Sequence, residues 1–434
     1  MLLIYTTNVT ARVQYTFDII FKHVLKTEYQ FTDNKEAYFN HIGAKFSYGP
    51  HKEAEGLFFG AANILYEEDI YKHQLEAIEW NGIKGFFTIK DLGFLPFDPF
   101  ATSFYMVSRY EEYTAVHKDK YNRYLAEESL SYTYNLLDKP MVNLYALEIK
   151  KIIQSFYPTF RFPELKYNYV PTFDIDVAFV YSNKGILRST IAFAEDLFQL
   201  RFSNCLERIL TGLKMKQDPY DSYKKQIEIS DKFNLNPLYF ILLGDFGGND
   251  KNIPHYNKNY IALIKKLHEK YEACFHPSFG STRSEKQLAI EKSRIEKITG
   301  AKTTKSRQFF NKLNLPTYYQ RLAALGITDD YSMGYHKHLG FRAGICSPFP
   351  FFDLEQNQTT TLLLHPFCIV DKCFKLHLRI RSSEVVYHAR LMKEAVKAVG
   401  GDFSVIFHNE TLGTKKMWQN WRNVYHDISK MATE

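Results

Sequence analysis

Apolar residues keep a helical rhythm early in the chain. Val13, Phe17, Ile20, Phe21 and Val24 recur at three- and four-residue spacing, and short apolar runs surround Leu3 and Lys45. The first pattern predicts an amphipathic helix and the runs predict strands, together a mixed α+β lobe. Pro96, Asp98 and Pro99 punctuate the chain before a helix expected over 102–113. That helix carries Arg109, Glu111 and Glu112, a cluster that reads as a salt-bridged face. Another helix is expected between residues 139 and 163, followed by Pro158 and Pro163, which place a domain boundary there. The expected domains are 1–162, α+β, and 163–434. Past the boundary, short apolar runs alternate with amphipathic stretches. Strands are predicted over 169–173, 238–243, 272–275, 304–307, near Ile327, 361–364 and 403–407, and helices over 220–232, 284–298 and 384–399. Such alternation is the pattern of β-α units around a parallel sheet, so the second domain is expected to form an α/β barrel.

Length agrees with two domains, because 434 residues exceed the usual size of one. With 31 Tyr and 36 Phe the chain is unusually aromatic, which provides for a large core and leaves faces free to stack on sugar rings. The net charge of +7 is spread along the chain without a block of basic residues, so the electrostatic footprint of a nucleic-acid binder is missing. Lys375, His377, Arg379 and Arg381 alternate with apolar neighbours at the period of a half-buried strand, and read as a solvated sheet face. Five cysteines, an odd number without paired CxxC spacing, favour reduced thiols. The first residues lack a basic leader and a cleavage site, and no run reaches the roughly 18 apolar residues of a spanning helix. A cytoplasmic protein without a membrane span is expected.

In parallel barrels chemistry gathers at the carboxyl ends of the strands. The residues at or just past those ends are Asp174 and Asp176, Asp245, His276, Arg307, Asp330, His365 and His408. Carboxylates, imidazoles and a guanidinium converging on one rim are what metal-assisted hydrolysis with a general acid and base requires. Two turn aspartates capping the next element are the bland alternative for Asp174 and Asp176.

Thr172-Phe173-Asp174-Ile175-Asp176, Phe275-His276-Pro277-Ser278, Ser306-Arg307-Gln308, the run from Leu325 through Asp329-Asp330 to Tyr335, and Val405-Ile406-Phe407-His408-Asn409 occur in an order that resembles the polysaccharide deacetylase family. Gly340-Phe341-Arg342-Ala343-Gly344, and N-terminal segments around Phe97-Asp98-Pro99 and Ser108-Arg109-Tyr110, are similar to a bacterial subgroup with an N-terminal lobe of unknown function. The resemblance implies a distorted (β/α) barrel of the polysaccharide deacetylase type behind that lobe. It also implies a hydrolase acting on carbon-nitrogen bonds, with a divalent metal, usually zinc, held by an aspartate and two histidines. Carried over, Asp174 matches the general base, Asp176 the metal-ligating carboxylate, His276 the first metal histidine, Arg307 the arginine that orients the base, and His408 the acid. Two departures stand out. Ile175 separates aspartates that the family usually has adjacent, and Gly280 stands where the second metal histidine belongs. His365 or Asp245 are the candidate replacements, whereas His336 and His338 are expected in a solvent-exposed loop. The function implied is removal of an N-acyl, by expectation acetyl, group from an amino sugar or glycan intermediate of surface polysaccharide assembly, with carbohydrate as substrate and glycan-synthesis enzymes as partners. The alternative is a degenerate, non-catalytic relative that binds a carbohydrate or a partner enzyme.

Overall fold

The computed structural model describes residues 1–89 and 93–434. The chain begins with a parallel sheet of β1 (Leu2–Tyr5), β2 (Tyr29–Thr32), β3 (Lys45–Gly49) and β4 (Phe58–Gly60), in the order β2-β1-β3-β4. In the β1–β2 crossover lies α1 (Ala11–Phe17), whose Thr10 hydroxyl accepts from the Val13 N–H at 3.1 Å and so caps the helix. The winding then widens: the Leu25 N–H reaches the Ile20 carbonyl, five residues back, at 2.9 Å. This π-helical stretch keeps Ile19, Ile20, Phe21 and Val24 all buried. A small antiparallel ribbon, β5 (Ile78–Trp80) and β6 (Ile83–Gly85), precedes α2 (Pro99–Val107). The helix expected over 102–113 is in fact broken. Arg109 takes a left-handed φ of 54°, and a short helix restarts at Tyr110–Thr114. The long α3 (Met141–Phe156) closes this part.

The remainder forms a nine-stranded sheet of β7 (Asn168–Ile175), β8 (Leu238–Leu242), β9 (Glu272–His276), β10 (Lys305–Ser306), β11 (Asp329–Asp330), β12 (Phe349–Asp353), β13 (Gln358–Leu364), β14 (Ile369–Val370) and β15 (Asp402–His408). Its helices include α4 (Ile186–Phe198), α5 (Phe202–Gly212), α6 (Tyr223–Lys232), α7 (Lys258–Lys270), α8 (Glu285–Thr299), α9 (Asp371–Leu376) and α10 (Val385–Val399). The order is β12-β13-β11-β10-β9-β8-β7-β15-β14, and every ladder is parallel except β12 against β13. Each expected strand is present, the one near Ile327 lying two residues on, while β12 and β14 were not foreseen.

The expected barrel does not close. Among the described residues no ladder joins β12 to β14. One reason is that β12 folds back antiparallel on β13 and is covered by the N-terminal lobe. Tyr15 donates its hydroxyl to the Pro350 carbonyl at 2.9 Å, and the Tyr15 and Phe104 rings pack on Phe352 at 4.8 and 5.3 Å. A lobe laid over an edge hides its unpaired backbone as closure would. At the other edge β14 is only two residues long before α9 begins. The half-buried strand read from Lys375, His377, Arg379 and Arg381 is therefore replaced by the end of α9 and a loop. Consecutive residues Cys373 and Phe374 are both buried, which a strand alternating between faces does not allow.

Among the described residues no ladder crosses residues 162 and 163, yet one side-chain core includes residues from both sides, from Tyr15 and Phe104 to Phe352 and Leu364. The charge cluster joins them too. Glu112 is not on a solvated face but buried, accepting from Arg109 Nε at 2.7 Å and from Arg342 Nη2 at 2.6 Å. All five cysteines are buried and unpaired. No helix among the described residues is long and apolar enough to cross a membrane.

Candidate active site

Strand register puts the chemistry together. β7 and β15 pair with Asp174 beside His408, and β8 and β9 carry the ladder on to His276. Asp174 Oδ1 accepts from Arg307 Nη1 at 2.8 Å. The guanidinium is itself fixed, donating to Thr172 Oγ1 at 2.7 Å and the Tyr331 carbonyl at 2.9 Å and lying 4.3 Å from the centre of the Phe240 ring. Asp174 Oδ2 has no partner among the described residues, so one carboxylate oxygen is oriented by an ion pair and the other is left for a ligand. Geometry of this kind suits a carboxylate that takes a proton from a bound water.

Asp176 sits at the centre of a denser cluster. His276 Nε2 lies 3.2 Å from its Oδ1, and Lys372 Nζ donates to Oδ2 at 2.9 Å. The other His276 nitrogen meets the Arg307 carbonyl, which fixes the ring. Burial by itself would raise the Asp176 carboxyl, but the Lys372 charge, the His276 hydrogen bond and His408 outweigh it and hold the group far below the usual carboxylate range. Lys372 also reaches Glu410 Oε1 at 2.5 Å. His408 is held from behind: Asp371 accepts from its ring Nδ1 at 2.6 Å and from its backbone N–H at 2.7 Å, and takes the Thr411 hydroxyl at 2.5 Å. Burial and Lys372 push the His408 imidazolium down, yet the charge and hydrogen bond of Asp371, with help from Asp176, raise it above the ordinary histidine value. A raised imidazole with one nitrogen pinned by a carboxylate suits a proton donor near neutral pH.

Asp174, Asp176, Arg307, Lys372, His408 and Glu410 all line one cleft of about 970 Å³. Its walls include the aromatic rings of Tyr121, Phe309, Phe310 and Phe367, and the N-terminal lobe supplies Asp119, Tyr121 and Arg123. Other rim residues do not converge. Asp245 is exposed and tied to Arg294 at 2.8 Å; His365 is stacked on Tyr331 and bonded to Asp329 at 2.7 Å; Asp330 is buried under Ser306 and Ser332. His336 is not exposed as expected but half-buried in the cleft wall, and His338 pairs with Glu127 at 3.1 Å. Sequence reasoning missed Asp371, Lys372 and Glu410. The two-residue β14 before Asp371 is too short to show a period, although Glu410, two positions past His408, lay within reach of the same strand-end rule.

The donor set does not fit a divalent metal. Asp176 and His276 would be two ligands, but position 280 offers only a backbone N–H, which donates to Asp250 at 2.9 Å, and neither His365 nor Asp245 lines the cleft. Both oxygens of Asp176 already have partners, Oδ1 beside His276 and Oδ2 on the Lys372 ammonium, a fixed positive charge that would repel a divalent cation.

The architecture is thus an open, mostly parallel α/β sheet with its polar cleft at the strand ends. A family of unknown function, DUF7033, matches residues 2–158. No curated protein matches the sequence. Among solved structures, the chain is similar to a Mycobacterium smegmatis protein assigned as a polysaccharide deacetylase, at 14% identity over 63% of this chain and 86% of that one, with a TM-score of 0.40. It is also similar to Puue allantoinase, at 7% identity over 62% and 83% and a TM-score of 0.38. The polysaccharide deacetylase Bc1974 from Bacillus cereus gives 8% identity over 62% and 86%, with a TM-score of 0.31.

Proposed function

We propose that the cleft is the active site of a hydrolase that removes an N-acyl group, acetyl in the first instance, from an amino sugar or glycan intermediate of surface polysaccharide assembly in the cytoplasm. The observation that carries this reading is the pair Asp174–Arg307 and His408–Asp371 on neighbouring strands of one aromatic-walled cleft. Aromatic walls stack on sugar rings. In the reaction Asp174 takes a proton from water as its oxygen bonds to the acyl carbon. The carbonyl oxygen gains charge opposite Lys372, which spends two of its three N–H bonds on carboxylates and keeps one. Collapse breaks the carbon-nitrogen bond while His408 protonates the departing amine; the proton on Asp174 is then lost to solvent and His408 regains one from solvent. No step needs a metal. On the same reading the chain divides at 162/163, and the N-terminal lobe shapes the groove through Tyr121 and Arg123.

A panel of N-acetylated sugars and oligosaccharides, assayed for released acetate in chelator-treated protein, tests the proposal. Turnover lost in Asp174→Asn and His408→Ala, with unchanged circular dichroism, is the expected result; turnover unaffected by both variants overturns it. The second reading, a non-catalytic carbohydrate or partner-enzyme binder, is favoured by the two carboxylates that already satisfy Lys372. It predicts glycan binding with no acetate released under any condition.

A further inference from the structure

The excursion between β7 and β8 is built the wrong way round for an interior. In α4 and α5 the residues turned inward are Asp196, Cys205 and Thr211. Asp196 accepts there from Arg208 Nη2 at 2.8 Å and Asn204 Nδ2 at 3.2 Å. The large apolar residues instead point to solvent, with Ile186 86%, Phe198 92%, Leu200 72% and Leu213 64% exposed. Eleven large apolar side chains are exposed between Ile186 and Met215, against sixteen in all the rest of the described chain. No residue of either helix belongs to a buried apolar cluster. Isolated exposed leucines are ordinary, but so dense a set marks an interaction surface. Leu200, at the turn between the helices, takes a φ of 55°. That left-handed position ordinarily goes to Gly or Asn, so a leucine held there at an exposed tip does nothing for the interior.

Charge selects the occupant. Residues 184–216 carry six basic residues against three acidic ones. Of the acids, Asp196 is turned inward on Arg208, and Glu207 lies 3.1 Å from Lys216. Lys184, Arg208 and Lys214 border a cleft of about 640 Å³ at the root of the arm, with Ser189 and Thr190 beside them. Burial first, and then Arg188, bring the Lys184 ammonium down to about 8, as expected where cations crowd without enough carboxylates. An apolar face interleaved with Lys and Arg is the composition of a helix lying in a bilayer interface with anionic headgroups. At 13 and 11 residues the helices are too short to cross it.

We propose that the α4–α5 arm docks this protein on a membrane surface containing anionic phospholipid, Phe198, Leu200 and Phe202 entering the acyl boundary while Lys184, Lys214 and Arg201, the last exposed beside the tip, meet headgroup phosphates. The arm is rooted at the cleft: it follows β7, which carries Asp174, and Arg188 reaches the carbonyl of Asn252, next to the cleft residue Lys251. Docking does not depend on which reaction the cleft performs.

Flotation of the full chain with vesicles tests this, using phosphatidylcholine alone and phosphatidylcholine mixed in equal parts with phosphatidylglycerol. The protein is expected to float with the mixed vesicles only and to be released as salt rises. Phe198→Ser, Leu200→Ser and Phe202→Ser combined abolish binding, and Lys214→Glu and Arg201→Glu each weaken it by at least roughly fivefold. All five residues are exposed, so circular dichroism should not change. No flotation with the anionic vesicles, equal flotation with both, or flotation indifferent to the triple variant overturns the proposal. So does a dimer in light scattering that the triple variant abolishes without vesicle binding, which makes the face a contact between two copies.

Discussion

Asp371 never meets the cleft, yet it governs the side chain that does. It fixes His408 through the ring Nδ1 and the backbone N–H at once, which leaves Nε2 toward the cleft and favours the protonated imidazole. A general acid works only while it carries its proton. Turnover should therefore hold below the raised His408 value and fall as pH climbs through it. Asp371→Asn removes the raising charge, so the alkaline limb of kcat/KM should move to lower pH; a limb that stays in place detaches His408 from proton transfer. Lys372 makes the complementary prediction. Lys372→Met keeps the length and loses the charge, so kcat should drop by about 10²–10³-fold, the usual effect of losing one oxyanion partner. Chelator treatment of the wild type should leave kcat unchanged, and a loss restored by zinc would show that a metal displaces Lys372. The strand-end rule reached Asp174, Asp176, His276 and His408 because each lies at or just past the end of a strand of five to eight residues, whereas Arg307 follows the two-residue β10 and stood out through its Ser306-Arg307-Gln308 motif. It missed Asp371 and Lys372 because nothing local distinguishes a two-residue strand from a loop.

At the scale of elements, punctuation decides more than periodicity does. Asp98 starts α2: its Oδ1 accepts from the Phe100 and Ala101 N–H groups at 2.8 and 3.0 Å, and its Oδ2 from the Tyr48 hydroxyl and the Ala62 N–H, both at 2.8 Å. Asp98→Ala removes a cap and strands buried donors, so it should cost about 2–4 kcal/mol in urea unfolding. A loss below about 1 kcal/mol would mean that water reaches those donors. The parallel strands were legible because β8 is a continuous apolar run and β9 and β15 each hold three consecutive apolar residues, and α8 and α10 because their apolar faces recur at helical spacing. What was illegible depends on tertiary partners. The break at Arg109 follows from its pairing with Glu111 and Glu112 and its bond to the Arg342 carbonyl, residues a local window cannot weigh together. The same holds for the open sheet edge, which is settled by the packing of Tyr15 and Phe104 on Phe352.

Across the whole molecule, the lobes are joined by a buried charge that neither could keep alone. Glu112 bridges Arg109 of the N-terminal lobe and Arg342 of the sheet domain, all three side chains being at most 5% exposed. Arg342 also lies 5.6 Å from the Tyr335 ring. Burying three charges is costly, and the arrangement persists because each is paired and hydrogen-bonded. Glu112→Gln keeps the shape and removes the negative charge, leaving Arg342 buried without a carboxylate partner while Arg109 keeps only Glu111. Breaking a buried pair in this way costs roughly 3–5 kcal/mol, more than exposed ion pairs repay. Because the apolar core also runs through this contact, the loss should not free one lobe from the other. Calorimetry of Glu112→Gln is expected to show one transition at lower temperature. Two separate transitions, with the sheet domain unshifted, would mean that the lobes fold independently and that Glu112 stabilises only their docking.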